Sequence, residues 1–350
     1  MSEPSFQLLC AGEGHPQATL IFPTYRSTHL NAALTSVLAQ RDVVLEILIS
    51  DDASGDETPR RILEIVKHYD GPHRVLLRRG KKRLRLDHFT MLAEAATCEI
   101  TIMAHHDDVA QPDRAQRILR TFTATGADVV SSAFTAIQAD GRPRVTNRER
   151  WASGFISLDQ VIQHVWLWPM LGAGLAWRRN VYTDFPRLTT LYLPGGHDML
   201  ISFRGALQSG FYYLDEALFQ RRSHAAQWGN VLVDRRGKLI AQEGTAARLL
   251  GVTVAMHKDV GHLKERAIGA RLQNLTEIEE QITQSIMRRT VQLYDLRGQL
   301  LLAGKQTVWL EDTEFEAMQR PSLLRRLLRR EPFRSVKNWV QKMAIKRLGD

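Results

Sequence analysis

The sequence is poor in the features that would place a protein quickly. Among its 350 residues there are two cysteines, Cys10 and Cys98. Two cannot build a disulfide framework, so a reducing compartment is expected. The N-terminus has no basic stretch leading into an apolar core, which argues against a secretory signal. The longest apolar run without a charge, Val165 to Trp177, is interrupted by Pro169. It is shorter than the roughly 20 residues that cross a bilayer. No GxGxxG fingerprint follows the first expected strand, so a dinucleotide site is poorly supported, and neither a P-loop nor an internal repeat is present. What is left is a soluble, cytoplasmic chain.

The composition is ordinary for a globular protein, at 44% hydrophobic and 24% charged. The net charge of +9 is unevenly spread. From Arg320 to Asp350 there are ten Lys or Arg against Glu331 and Asp350, and the remainder is close to neutral. That distribution argues against a general nucleic-acid protein and points to a basic tail with its own partner.

Hydrophobic patterning predicts alternating strands and helices. Ala18 to Pro23 reads as a strand, residues 29–40 as a helix with one apolar face, and Leu45 to Ser50 as a second strand ending in Asp51-Asp52-Ala53-Ser54-Gly55-Asp56. Thr58 and Pro59 open another helix. Arg74 to Leu77 is a third strand, the basic loop Arg78 to Arg85 follows it, and a helix near 87–97 leads to a fourth strand, Ile100 to Ala104. This order builds a mostly parallel sheet with helices on both faces. Such sheets bind ligands beyond the carboxyl ends of their strands.

At that end of the fourth strand stands His105-His106-Asp107-Asp108, four residues before Pro112. Carboxylates are expensive to bury unless paired or bound to a cation. The cluster therefore suits a hard divalent cation carrying a diphosphate, Mg²⁺ or Mn²⁺. A polar loop with Asp108 or Asp113 capping the next helix is the alternative.

Three motifs in order, Thr19 to Arg26, Leu45 to Asp52 with Ser54 and Asp56, and His105 to Asp108 with Pro112, resemble family 2 glycosyltransferases of the GT-A fold. The resemblance covers roughly residues 17–225. It implies a Rossmann-like α/β domain that takes a nucleotide-diphosphate sugar, a UDP-sugar first among them, and transfers the sugar with inversion using Mn²⁺ or Mg²⁺. By the same resemblance Pro23, Thr24, Tyr25 and Arg26 face the nucleotide, and Asp52 accepts a hydrogen bond from its base. Asp51 and Asp56 are better read as turn residues. From the basic loop, Arg85 is the expected ligand. Asp107 falls at the metal position of the family's Asp-x-Asp motif, and His106 beside it is a further nucleotide-sugar contact. His105 stands where the first Asp is usual. It is a metal ligand, or a contact to ribose or diphosphate, or the mark of a weak or inactive metal site.

Further along, Gly172 to Arg179 resembles the small-residue strand that lines the family's donor-sugar pocket. Trp166, Trp168 and Trp177 are sugar-stacking candidates for which core packing is the stronger reading. His197-Asp198 stands where the family has an acidic pair, which makes Asp198 the expected catalytic base, with a helix cap as the alternative. Tyr212 to Leu214 and Ala217 to Phe219 read as two short strands. Arg222 and His224 resemble the closing basic motif, with Arg222 on the diphosphate and His224 on the metal.

The expected domains are residues 1–228 for the transferase, 229–319 for a helical region, and 320–350 for a basic amphipathic tail. The helices would pair with each other or across a homo-oligomer. The tail suits an anionic membrane surface, which would place the enzyme on the inner face of the plasma membrane with a saccharide or lipid-linked acceptor. Docking of the tail on protein is an equal reading. The expected role is cell-surface polysaccharide synthesis. A non-catalytic scaffold on a degenerate GT-A fold, motivated by His105 and His197, is the rival.

Overall fold

A computed structural model describes residues 5–144, 151–163, 168–188, 196–224, 238–265 and 274–302. The basic tail, Trp166 and the side chain of Trp168 lie outside the described residues. The chain divides into two compact units, one of residues 1–188 with 197–224 and the other of residues 189–196 with 225–350.

In the first unit the apolar runs form strands β1 (Gln7–Cys10), β2 (Ala18–Thr24), β3 (Leu45–Asp51), β4 (Arg74–Arg79) and β5 (Ile100–Met103). Between them lie helices α1 (Leu30–Leu38), α2 (Thr58–Lys67) and α3 (Leu86–Ala95). β4, β3, β2 and β5 pair in that order, all parallel. β1 adds an antiparallel edge on β4. β2 and β3 are buried on both faces, which explains why their sequences are nearly continuous apolar runs rather than alternating ones. Leu20, Phe22, Ile47 and Ile49 share a core with Leu30 and Leu34 of α1 and Ile62 of α2.

The chain continues through β6 (Val109–Ala110), α4 (Arg114–Thr125), β7 (Val129–Ile137), β8 (Gly154–Ile156) and α5 (Leu158–Gln163). Then come β9 (Leu175–Arg178), α6 (Asn180–Thr183), α7 (His197–Leu207) and β10 (Phe211–Arg222). β9 lies antiparallel between β5 and β7, and β10 runs parallel to β7. Among the described residues this gives one sheet in the order β1-β4-β3-β2-β5-β9-β7-β10-β6, with β8 on β10. A mostly parallel sheet flanked by helices is the fold class expected from the alternation.

Gly205 marks where α7 meets β7. A Cβ built there would lie 2.7 Å from Val129 Cβ. Gly205→Ala is expected to destabilise the protein by about 1–3 kcal/mol through overpacking, offset in part by better helix propensity. Urea denaturation measures the shift.

The second unit contains two 28-residue helices, α8 (Lys238–Glu265) and α9 (Leu275–Leu302), packed on each other. Ala246, Leu250 and Val260 of α8 and Ile278, Ile282, Ile286 and Leu293 of α9 are buried. Glu279 receives both His257 and Lys264 across the pair. The region expected to be helical therefore holds a pair of long helices among its described residues. No helix among the described residues is long and apolar enough to cross a membrane.

Candidate active site

The parallel strands β2, β3 and β5 end on one edge, and the segments leaving them build the site. β2 ends in Pro23-Thr24. Thr24 is buried and its hydroxyl donates to the Ser50 carbonyl at 3.3 Å. Tyr25 is half-buried, and the Arg83 guanidinium lies 3.9 Å from its ring centroid. Arg26 has a positive φ of 45°, which its neighbours sustain. Its amide donates to Ser54 Oγ at 2.9 Å and its Nε to the Ser54 carbonyl at 3.0 Å.

Asp51 is a turn carboxylate, accepting the Ser54 amide at 3.0 Å and the Ser54 hydroxyl. Asp56 likewise accepts the Thr58 amide at 2.9 Å, opening α2. Asp52 does something the sequence did not announce. Its two oxygens accept the amides of Leu84 and Arg85 at 2.7 and 2.9 Å, so it fastens the basic loop beside the strand ends. The carboxylate so held is itself buried. The Arg85 side chain stands exposed, on a backbone at φ 57° that the two amide bonds hold.

Behind this loop His88 is buried. Its Nε2 lies 2.8 Å from Ser50 Oγ and its Nδ1 4.0 Å from Asp52. Burial lowers its pKa to about 4, against the Asp52 charge that favours protonation. A histidine held neutral in the fold and free to charge when unfolded draws the equilibrium toward unfolding in acid. Its contribution is full above about pH 6.5 and is lost as pH falls toward about 4, with about 2 kcal/mol gone between pH 7 and 5. In urea titrations at the two pH values, wild-type protein should lose about 2 kcal/mol more than His88→Gln does.

β5 delivers the central cluster. Ligand atoms of His105, Asp107 and Asp108 all lie within 4.8 Å of one another, a grouping that could hold a metal ion. Burial pushes His105 down to about 4. It is therefore a neutral imidazole at pH 7, the form in which histidine ligates metals. Burial alone would raise the Asp107 carboxyl, but His105, His106 and His224 around it bring it below the usual carboxylate range. His224 Nε2 lies 3.0 Å from Asp107 Oδ2. Asp108 is more deeply buried, and burial together with the Asp107 charge raises it to about 7. It faces inward, accepting the Arg222 amide at 2.8 Å. His106 Nδ1 is buried without a hydrogen-bond partner, while its carbonyl accepts Ser27 Oγ at 2.8 Å.

Arg222 is placed differently from the expectation. Its guanidinium is buried and donates Nε to the Asp107 carbonyl at 3.0 Å and Nη1 to the Gln138 and Ala139 carbonyls at 3.2 and 2.9 Å. The residue braces the cluster's backbone, where the resemblance implied a diphosphate ligand. Asp113 also departs from the capping reading, since it pairs with Arg117 at 2.6 Å and makes no side-chain cap. Trp177 is buried against Phe89 and Tyr182, in line with core packing.

Asp198 enters from the first turn of α7, half-buried, with Oδ1 accepting the Met199 amide at 3.0 Å. Its place relative to the cluster is read from Gly172. A Cβ built on Gly172 would lie 3.5 Å from Asp198 Oδ2 and 3.6 Å from His105 Nε2. The Asp198 carboxylate and the His105 imidazole thus meet across the small volume that this glycine leaves open. Beside Asp198, the His197 ring packs on Phe89 with centroids 4.0 Å apart.

Two further residues belong to the site without a motif to announce them. Arg114, first in α4, is buried and donates Nη2 to the carbonyls of Met103 and Ala173, each at 2.7 Å, tying the end of β5 to the Gly172 turn. Burial lowers it to about 10, so it remains charged and favours ionised Asp108. His29 packs its ring edge against His224, with centroids 5.0 Å apart. In sequence both read as ordinary polar residues at helix starts.

Residues 19–184 match the family described as glycosyl transferase family 2. That stretch holds the strand-end motifs of β2, β3 and β5. The succinoglycan biosynthesis protein ExoO of Rhizobium meliloti (strain 1021) is 27% identical over 128 residues, 36% of this chain. The match likewise spans only 36% of that relative's own length. Among solved structures, Staphylococcus aureus TarS 1–349 in complex with UDP-GlcNAc is 15% identical at a TM-score of 0.48, over 81% of this chain and 84% of that one. The mannosyltransferase PcManGT from Pyrobaculum calidifontis, in complex with GDP-Man and Mn²⁺, is 14% identical at a TM-score of 0.43, over 97% and 89%.

Proposed function

We propose that this glycosyltransferase moves a sugar from a nucleotide-diphosphate donor to a saccharide or lipid-linked acceptor by a single inverting displacement, in the synthesis of a cell-surface polysaccharide. The observation that carries the reading is the meeting of His105 and Asp198 across Gly172. It brings the donor motif and a carboxylate to one small gap, and a single displacement needs a general base at that place. The ExoO relative supports the polysaccharide assignment.

The nucleotide lies along Pro23, Thr24, Tyr25, Arg26 and Asp52, with Arg85 reaching in from the loop that Asp52 fastens. His105, Asp107 and His224 would hold Mn²⁺ or Mg²⁺, and His106 lines the same turn. One neutral imidazole beside an ionised carboxylate fits such an ion, and His224, hydrogen-bonded to Asp107 here, would have to exchange that bond for the ion to join them. The cation supplies charge neutralisation to the leaving diphosphate. Asp198 takes the proton of the acceptor hydroxyl as its oxygen attacks the anomeric carbon. Arg222, Arg114 and Asp108 keep the turn that carries Asp107 in place.

The test is a panel of UDP-, GDP- and TDP-sugars with Mn²⁺ or Mg²⁺. Release of nucleoside diphosphate from at least one donor is expected, and its absence from every donor would favour the scaffold reading.

A further inference from the structure

A second cavity lies at the opposite end of β5 from the cluster just described. It has a volume of about 230 Å³ and is bounded by the end of α3, the start of β5, β9 and the segment from α6 to Arg187. Drug-sized sites run from about 300 to 1,000 Å³, so this one suits a single ring rather than a nucleotide or a disaccharide.

Its chemistry divides into a wall and a rim. The wall is aromatic, formed by Trp177, Tyr182 and Phe185. The Tyr182 hydroxyl is buried with no hydrogen-bond partner, a donor and acceptor left over by the fold. At the rim Arg187 and Glu94 form a two-pronged ion pair, at 2.7 and 3.0 Å. Arg179 stands next to them and donates to the Ala96 carbonyl at 2.7 Å.

A carboxylate or phosphate ligand would gain from the arginines but would meet the Glu94 carboxylate. A cation would meet two arginines. A neutral group that both donates and accepts satisfies the pair without opposing either member. Vicinal hydroxyls do this, and the apolar faces of a sugar ring pack on aromatic side chains. We infer that the cavity is a binding site for a single pyranose unit, separate from the donor site.

The site has a packed route to the candidate base. Trp177 and Tyr182 both contact Phe89, at centroid separations of 5.7 and 6.3 Å, and Phe89 stacks on His197, the neighbour of Asp198. A sugar seated against Tyr182 would therefore bear on the neighbour of Asp198 through two ring contacts, Tyr182–Phe89 and Phe89–His197.

Ligand-observed saturation-transfer NMR on the full chain, with the methyl glycosides of glucose, galactose and N-acetylglucosamine, tests the inference. At least one should bind with a Kd of order 1 mM. Thr183→Trp, an exposed change at the rim, should weaken that binding at least about tenfold, and Tyr182→Phe should weaken it to a smaller degree. UDP binding in the presence of Mn²⁺ should be the same in all three proteins. Absence of binding by every glycoside, or binding that Thr183→Trp leaves intact, would overturn the assignment. Neither result bears on the transferase reading, which stands or falls with donor turnover.

Discussion

Asparagine at position 198 is expected to lower sugar transfer by about 10²–10⁴-fold, the range over which a positioned general base acts. The change keeps the size of the side chain. It also keeps an oxygen to accept the Met199 amide, and the Asp198 carbonyl still accepts the Ser202 hydroxyl of the same helix. Helix α7 should therefore form as before, and thermal unfolding should shift little. Donor affinity should hold too, because the proposed nucleotide site lies along β2, β3 and the loop that Asp52 fastens. The loss would then appear in kcat and not in the KM for donor, the pattern of an interaction made in the transition state. A cap explains none of this. If Asp198 served only the start of α7, Asp198→Asn would lower stability slightly and leave the rate alone.

Asp107→Asn should have a comparable effect by another route, lowering transfer by about 10²–10³-fold, as expected when charge stabilisation at a leaving group is removed. Asp107 is the carboxylate that three histidines hold below the usual range, so it offers full negative charge to a cation at neutral pH. Asparagine removes the charge and keeps the shape. The distinguishing readout is a melt with and without Mn²⁺ in the presence of UDP. Wild-type protein should be stabilised, since a ligand that binds only the folded state raises its melting temperature. The variant should lose most of that shift. Asp108 would not substitute for Asp107, because it is more deeply buried and one of its oxygens is engaged by the Arg222 amide.

The sheet was legible where strands are long and buried, and less so elsewhere. β2 and β3 announce themselves because both faces are covered and most residues are apolar, the buried Glu46 being held by the Thr19 and Thr97 hydroxyls. The edge strand β1 has four residues and β8 three, too short for a pattern to stand out from loop. Residues 211–222 read as two strands because Asp215 and Glu216 break the apolar run. They form one strand with an irregularity in its register between Leu214 and Ala217, and these two acids lie within it.

The site shows the same division. Motifs carried by strand ends, such as Asp52 and His105 to Asp108, could be placed in sequence because the strands fix where they emerge. Partners that depend on three-dimensional closure could not. Arg114 looks like a surface charge opening a helix, and its burial follows only once Met103 and Ala173 turn their carbonyls toward one point. Arg222 has the opposite history. A basic residue near the end of the motif series resembles a phosphate ligand, and only the backbone paths through Asp107, Gln138 and Ala139 show three carbonyls around it. His197, in the place of the family's Glu, has a packing role that no spacing reveals, because Phe89 reaches it from another helix.

The central claim is that the His105–Asp107 turn and Asp198 act on one anomeric carbon from opposite sides. The anomeric configuration of the first-formed product, read by ¹H NMR with the donor that the panel identifies, tests this directly. A product inverted relative to the donor is predicted. A product that retains the donor's configuration would contradict the account, because a single displacement with Asp198 as base cannot give it.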